Sequence, residues 1–394
     1  MFSLGEKLDV EKRDRSLVYT TYLTLICSGG GATILGALLP FMQEEYQMNY
    51  VLSGAVLSAH QIGNIVAIVL IGFLPYVLGR KKSMLVMSIW LFFGLILMTV
   101  TGNPFVLMMA FAFIGMGRGT ITNMSHVVIS TKVGKHTAGL NILHACFAVG
   151  AFISPFVVLL ASSIWNWRLA PWILSALMLV AWIREYKGTL PEEKVERNEF
   201  KGHPFYRNAG FWIVTFILFF YLCSEGSLVG WLVTYFKDAG IMSVEIAQTM
   251  QGVLWIMIFA GRLTCAFISD RIYKPYLLIA LGVLMTLSFV LMILSDNIVL
   301  IVIGLMGVGL FMGGIYPTTY SFMPSEYCSS TLATGTCMAI ATMGSILMPM
   351  IIGNVAERSG IVGGVTTISF ALVLMMLSMV GLIIQQKRKA KMCK

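Results

Sequence analysis

Long apolar runs separated by short polar stretches recur along the whole chain. A helix needs about 20 mainly apolar residues to cross the hydrocarbon core of a bilayer. Read against that length, the pattern predicts twelve spans: 17–42, 50–78, 83–101, 104–131, 137–163, 165–186, 209–237, 244–270, 275–295, 298–326, 331–357 and 362–386. The first run is too long for the apolar core of a cleaved signal peptide, and it carries Pro40 near its end. Only 187–208 is both long and polar, and it divides the runs six and six. The expected organisation is an N-terminal bundle over 1–186, a cytoplasmic linker over 187–208, and a C-terminal bundle with a basic tail over 209–394. The expected fold class is an all-α membrane protein of twelve transmembrane helices in two pseudo-symmetric six-helix bundles.

Charge gives the orientation. With the N-terminus on the cytoplasmic side, 22 of the 27 Lys and Arg fall on that side, 3 on the other and 2 inside spans. Basic residues favour the cytoplasmic loops, so both termini are expected there, in the cell membrane. Composition agrees. Of the 394 residues, 58% are hydrophobic and 11% charged, against roughly 25% charged in soluble domains. That balance excludes a soluble enzyme and a disordered chain. The net charge of +9 sits in short clusters between apolar runs, which suits a membrane surface and not a nucleic acid. Seven cysteines show no CxxC and no zinc spacing. No HExxH, GxGD, serine-nucleophile elbow or Walker pattern is present, so no enzyme activity, cofactor or metal is expected.

The two halves repeat at an offset of about 194 residues. Gly36 falls on Gly230, Gly119 on Gly313 and Asn123 on Pro317, while Gly150-x4-Pro155 falls on Gly344-x4-Pro349. Gly72-Phe73-Leu74-Pro75-Tyr76 aligns with Ala266-Phe267-Ile268-Ser269-Asp270, and Arg80 with Lys274. Parallel repeats of six helices are a mark of secondary transporters.

The stretch from Gly72 to Lys81 is similar to the G-x3-D-R-x-G-R-K signature of the major facilitator superfamily, and the chain resembles that family over essentially its whole length. Tyr76 and Val77 replace the Asp-Arg pair, which the second half retains as Asp270-Arg271. Gly115-x-Gly117-x-Gly119-x3-Asn123, Leu140-Asn141-x2-His144-x2-Phe147 and Glu225-x4-Gly230-Trp231-x3-Tyr235 resemble the fucose permease and sodium–glucose-transporter-like branch. That resemblance implies uptake of sugars or related polar solutes, driven by a cation gradient. Arg118 departs from it, since a neutral residue would be expected there for a neutral sugar.

Glu225 stands midway along its run, where an acidic group needs a cavity or a partner. It is the expected site of coupling to a proton or sodium ion. Arg118 could fork onto an anionic group or pair with Glu225. His60 and Asn64 share a helix face, as do Asn141 and His144, and their groups suit hydroxyls as well as helix–helix contacts. Trp231, Tyr235, Gln251 and Tyr316, with Asn123, complete the expected substrate-binding set, the aromatics as stacking faces. Arg80, Arg262, Asp270 and Arg271 are expected at a cytoplasmic gate. The expected function is cation-coupled symport of a small polar organic solute, such as a sugar or sugar acid, by a monomer embedded in lipid. The alternatives are an organic-anion exchanger, a drug exporter and a non-transporting membrane sensor. The exporter is disfavoured because Ser154-Pro155-Phe156-Val157 lacks the flanking glycines typical of exporters.

Overall fold

The computed structural model describes residues 8–187, 205–269, 271–324, 327 and 331–392. Asp270, expected at the gate, and most of the expected linker lie outside them. The described residues form twelve α-helices and one short 3-10 turn. The helices are α1 (Arg15–Tyr46), α2 (Tyr50–Leu78), α3 (Arg80–Leu97), α4 (Pro104–Lys132), α5 (His136–Ile164) and α6 (Leu169–Lys187), followed by α7 (Ala209–Asp238), α8 (Val244–Ile268), α9 (Lys274–Leu294), α10 (Ile298–Tyr320), α11 (Thr331–Thr366) and α12 (Ile368–Met392). The chain divides into two compact units, residues 1–197 and 198–394. Among the described residues, ten stretches are long and apolar enough to span a bilayer, with α11 and α12 counted as one run and α3 not among them.

Asparagine starts four of these helices. Asn49 accepts a hydrogen bond from the Leu52 N–H, and Asn103 from those of Phe105 and Val106. Asn208 accepts from Gly210 and Phe211, and Asn297 from Val299. Each bond satisfies an amide that the first helical turn leaves open. Inside α11 the backbone breaks at Gly360, whose φ of 77° suits a residue without a Cβ. In the first unit, residues 8–14 fold back on the α4–α5 turn: the Gly134 and Lys135 amides donate to the Asp9 and Leu8 carbonyls at 3.1 and 3.2 Å, and Lys132 pairs with Asp14 at 3.4 Å.

Glycine sets the closest helix contacts, and the same contacts recur in both units. A Cβ on Gly115 would strike the His60 carbonyl, and one on Gly309 the Leu254 carbonyl. Gly119 meets Asn64 of α2, as Gly313 meets Ile258 of α8. Gly150 lies against Ile26 and Gly30 of α1, as Gly344 lies against Phe219 and Cys223 of α7. With no Cβ between them the backbones approach closely, the small-residue packing by which helices associate in lipid. Large apolar side chains such as Val69, Leu160, Leu287, Phe370 and Leu377 face outward, the reverse of a water-soluble bundle and the arrangement that lipid requires.

Candidate functional site

Each unit holds polar groups within its own helices. In the second unit the centre is Glu225 on α7. Its Oε1 lies 3.8 Å from Nη2 of Arg262 on α8, and the two side chains are 17% and 32% exposed. Tyr221, one turn before Glu225 and fully buried, places its ring 5.9 Å from that of Tyr316 on α10. Both phenols lie in electrostatic range of Glu225 and Arg262. The Tyr316 hydroxyl donates to Sδ of Met338 at 3.1 Å. Three helices thus bring one carboxylate, one guanidinium and two phenols together. At 3.8 Å, with an effective dielectric constant near 20, the opposite charges attract by about 4 kcal/mol.

Arg262, expected at a gate, thus faces the mid-helix carboxylate. Arg271 is exposed beyond the end of α8. The side chains of Arg80 and Asn141 lie outside the described residues. Gln251 is fully buried, and its Nε2 donates to the Val229 carbonyl at 3.0 Å, tying α8 to α7. Trp231 and Tyr235 are each 1% exposed, so neither offers an open ring face in this conformation.

In the first unit the α2–α4 glycine contact carries a second polar group. His60 is buried, its Nε2 has no hydrogen-bond partner among the described residues, and Arg118 on α4 lies in electrostatic range of it. Asn64 sits beside Gly119. The Asn123 amide donates to the Gly119 carbonyl at 2.8 Å, and the Thr122 hydroxyl to the Arg118 carbonyl at 3.0 Å. His144 on α5 is exposed, and its ring lies 5.1 Å from that of His126 on α4.

Two groups were not anticipated from the sequence. Glu185 on α6 is fully buried and lies 2.8 Å from the hydroxyl of Thr24 on α1. Glu225 is therefore not the only carboxylate within a helix bundle, and Glu185 is the more deeply buried. The signal available was the polar stripe Thr20, Thr24, Ser28 at four-residue spacing in an apolar helix, which calls for a polar neighbour. The other group is a clamp at the opposite end of the unit. Arg168 Nη1 donates to Glu45 Oε2 at 2.8 Å, Nη2 approaches Oε1 at 2.5 Å, and Nε donates to the Thr99 carbonyl at 3.0 Å. The Trp167 indole N–H donates to the same Glu45 at 2.6 Å. Among the described residues no three His, Cys, Asp or Glu side chains gather as a metal site would.

These two six-helix units, with repeated internal contacts and ionisable side chains kept inside apolar helices, define a polytopic membrane transporter. The sequence matches the family model of the Major Facilitator Superfamily over residues 21–335, and the chain belongs to that family, whose members are transporters and not enzymes. It is similar to Bypass of stop codon protein 6 of Saccharomyces cerevisiae, at 20% identity over 87% of this chain and 78% of that protein. It is also similar to the gallate transporter of Pseudomonas putida, at 23% identity over 85% and 84% of the two chains. A mutant of the nucleoside transporter NupG has the same fold, with a TM-score of 0.77 at 16% identity, covering 94% of this chain and 100% of that one.

Proposed function

We propose that this chain is a cation-coupled secondary transporter that carries a small polar organic solute together with a proton or a sodium ion, by alternating access. The observation that carries the reading is the Glu225–Arg262 pair. A carboxylate inside a membrane helix needs a partner, and Arg262 at 3.8 Å is a loose one. A proton or a sodium ion could take its place without rebuilding the helix, which is what coupling requires. Tyr221 and Tyr316 supply hydroxyls beside the exchange site. The basic-residue bias supports a cell-membrane protein with both termini in the cytoplasm, acting as a monomer.

A second reading concerns the solute. Arg118 beside His60, and likeness to a protein named for the organic anion gallate, favour a solute bearing a carboxylate, such as a sugar acid, over a neutral sugar.

The test is flux in proteoliposomes under imposed proton or sodium gradients, with a panel of sugars and organic acids. Glu225→Gln is a fixed neutral state. Gradient-driven accumulation should collapse, while counterflow exchange of solute should survive, because exchange need not release the cation. Full concentrative uptake by Glu225→Gln with unchanged pH dependence would overturn the coupling role.

A further inference from the structure

Thr24 carries one hydroxyl hydrogen, yet its oxygen lies 2.8 Å from the Thr20 carbonyl and 2.8 Å from Glu185 Oε1. Two oxygens at that distance need a hydrogen between them. If the Thr24 hydroxyl donates to Thr20, the hydrogen toward Glu185 must come from the carboxyl group. The surroundings agree. Glu185 and Thr24 are both fully buried, and the second carboxyl oxygen, Oε2, has no hydrogen-bond partner among the described residues. An ionised carboxylate in such a place would need a cation or several donors.

Among the described residues, no cation acts on Glu185. Against α6, α1 sets Thr24 and the thiol of Cys27 in range of Glu185. α3 brings three basic residues: Lys81 lies over the ring of Tyr186 at 6.0 Å, Lys82 is exposed, and the side chain of Arg80 lies outside the described residues. No titratable side chain of α5 among the described residues acts on Glu185. On α6 itself Arg184 and Lys187 are exposed while Glu185 is buried.

We infer that Glu185 is a proton-binding site of the first unit, occupied in this structure: the neutral carboxyl donates to Thr24, Thr24 donates to the Thr20 carbonyl, and this relay fixes α6 to α1. The site is separate from Glu225 and does not depend on the coupling role proposed for it. The proton is part of the fold. An exposed glutamate in the unfolded chain ionises near pH 4.3, so at neutral pH the folded chain holds one proton that the unfolded chain does not. Raising the pH then favours unfolding, by about tenfold in the unfolding constant per pH unit for one proton. That term lasts until Glu185 itself ionises in the folded state.

The full chain in lipid nanodiscs provides the test. Infrared spectra at neutral pH should contain the carbonyl stretch of a protonated carboxyl that is lost in Glu185→Gln and kept in Glu225→Gln. Thr24→Val should move that band toward the position of a carboxyl without a hydrogen bond, and Thr24→Ser should leave it in place. Thermal melts should show wild type losing stability between pH 5 and pH 8 relative to Glu185→Gln. If Glu185→Gln fails to fold, the Thr24→Val and Thr24→Ser spectra decide alone. No band difference between wild type and Glu185→Gln, or a band in wild type that ignores Thr24→Val, would overturn the site.

Discussion

Replacing Gly150 with alanine adds one methyl group, and in an open helix that change gains about 1 kcal/mol of helix propensity. Here the new Cβ would fall inside the Ile26 carbonyl and 3.0 Å from the Gly30 amide nitrogen. Both obstacles are backbone, so α1 and α5 must move apart. Overpacking of this kind costs about 1–3 kcal/mol, and the separation also weakens the small-residue contact. The net expectation is a loss of about 1–2 kcal/mol. Gly344→Ala meets the Phe219 carbonyl but also the Cys223 sulfur at 2.9 Å, and a side chain can yield. It should lose stability in the same direction, by less. Gly72→Ala, on α2 with nothing within 4 Å, should be neutral or gain up to about 1 kcal/mol. Thermal melts of the purified variants in one detergent measure all three, and flux confirms that each is folded. If Gly150→Ala and Gly344→Ala melt at or above Gly72→Ala, the close glycine contacts do not hold these helices.

The Arg168 clamp predicts that Arg168→Lys, which keeps the charge and loses the planar fork, costs about 1 kcal/mol of stability. Glu45→Gln should cost a similar amount, and a double variant less than the sum; full additivity would show that the two do not interact. For topology, single cysteines in a cysteine-free background should react with an impermeant thiol reagent on intact cells at position 358. At position 388 they should react only after permeabilisation, and the reverse pattern would invert the orientation.

Periodicity and charge bias were enough to count the helices, since twelve predicted runs correspond to twelve helices. The ends deviated where polar chemistry took over. The third run was expected from 83, but α3 begins at Arg80, immediately after Gly79 turns the chain at φ 78°. The basic triplet therefore lies within its first turn. The sixth run was expected from 165, but α6 begins at Leu169. Trp165 and Trp167 read as membrane apolar residues, yet Trp167 serves the Glu45 clamp. Glycine spacing in the two halves was legible because backbone contact allows no other residue there. Partner choice was not. A polar residue in a span shows which face must turn inward, but not which helix will meet it. Arg262 against Glu225 and Glu185 against Thr24 are pairings between distant parts of the chain, settled by packing.

The recurring glycine contacts also show where the two halves part company. Carried across by those contacts, Glu225 and Arg262 correspond to Ala32 and Ile68 in the first unit, while His60 and Arg118 correspond to Leu254 and Met312 in the second. The repeat is a shared chassis with unlike fittings: each ionisable group was placed, or retained, in one copy alone. Substitutions at the contact glycines should therefore be felt alike in both copies, whereas the ionisable groups have no understudy. A hybrid built from two first units would keep the chassis and lose the carboxylate–guanidinium pair.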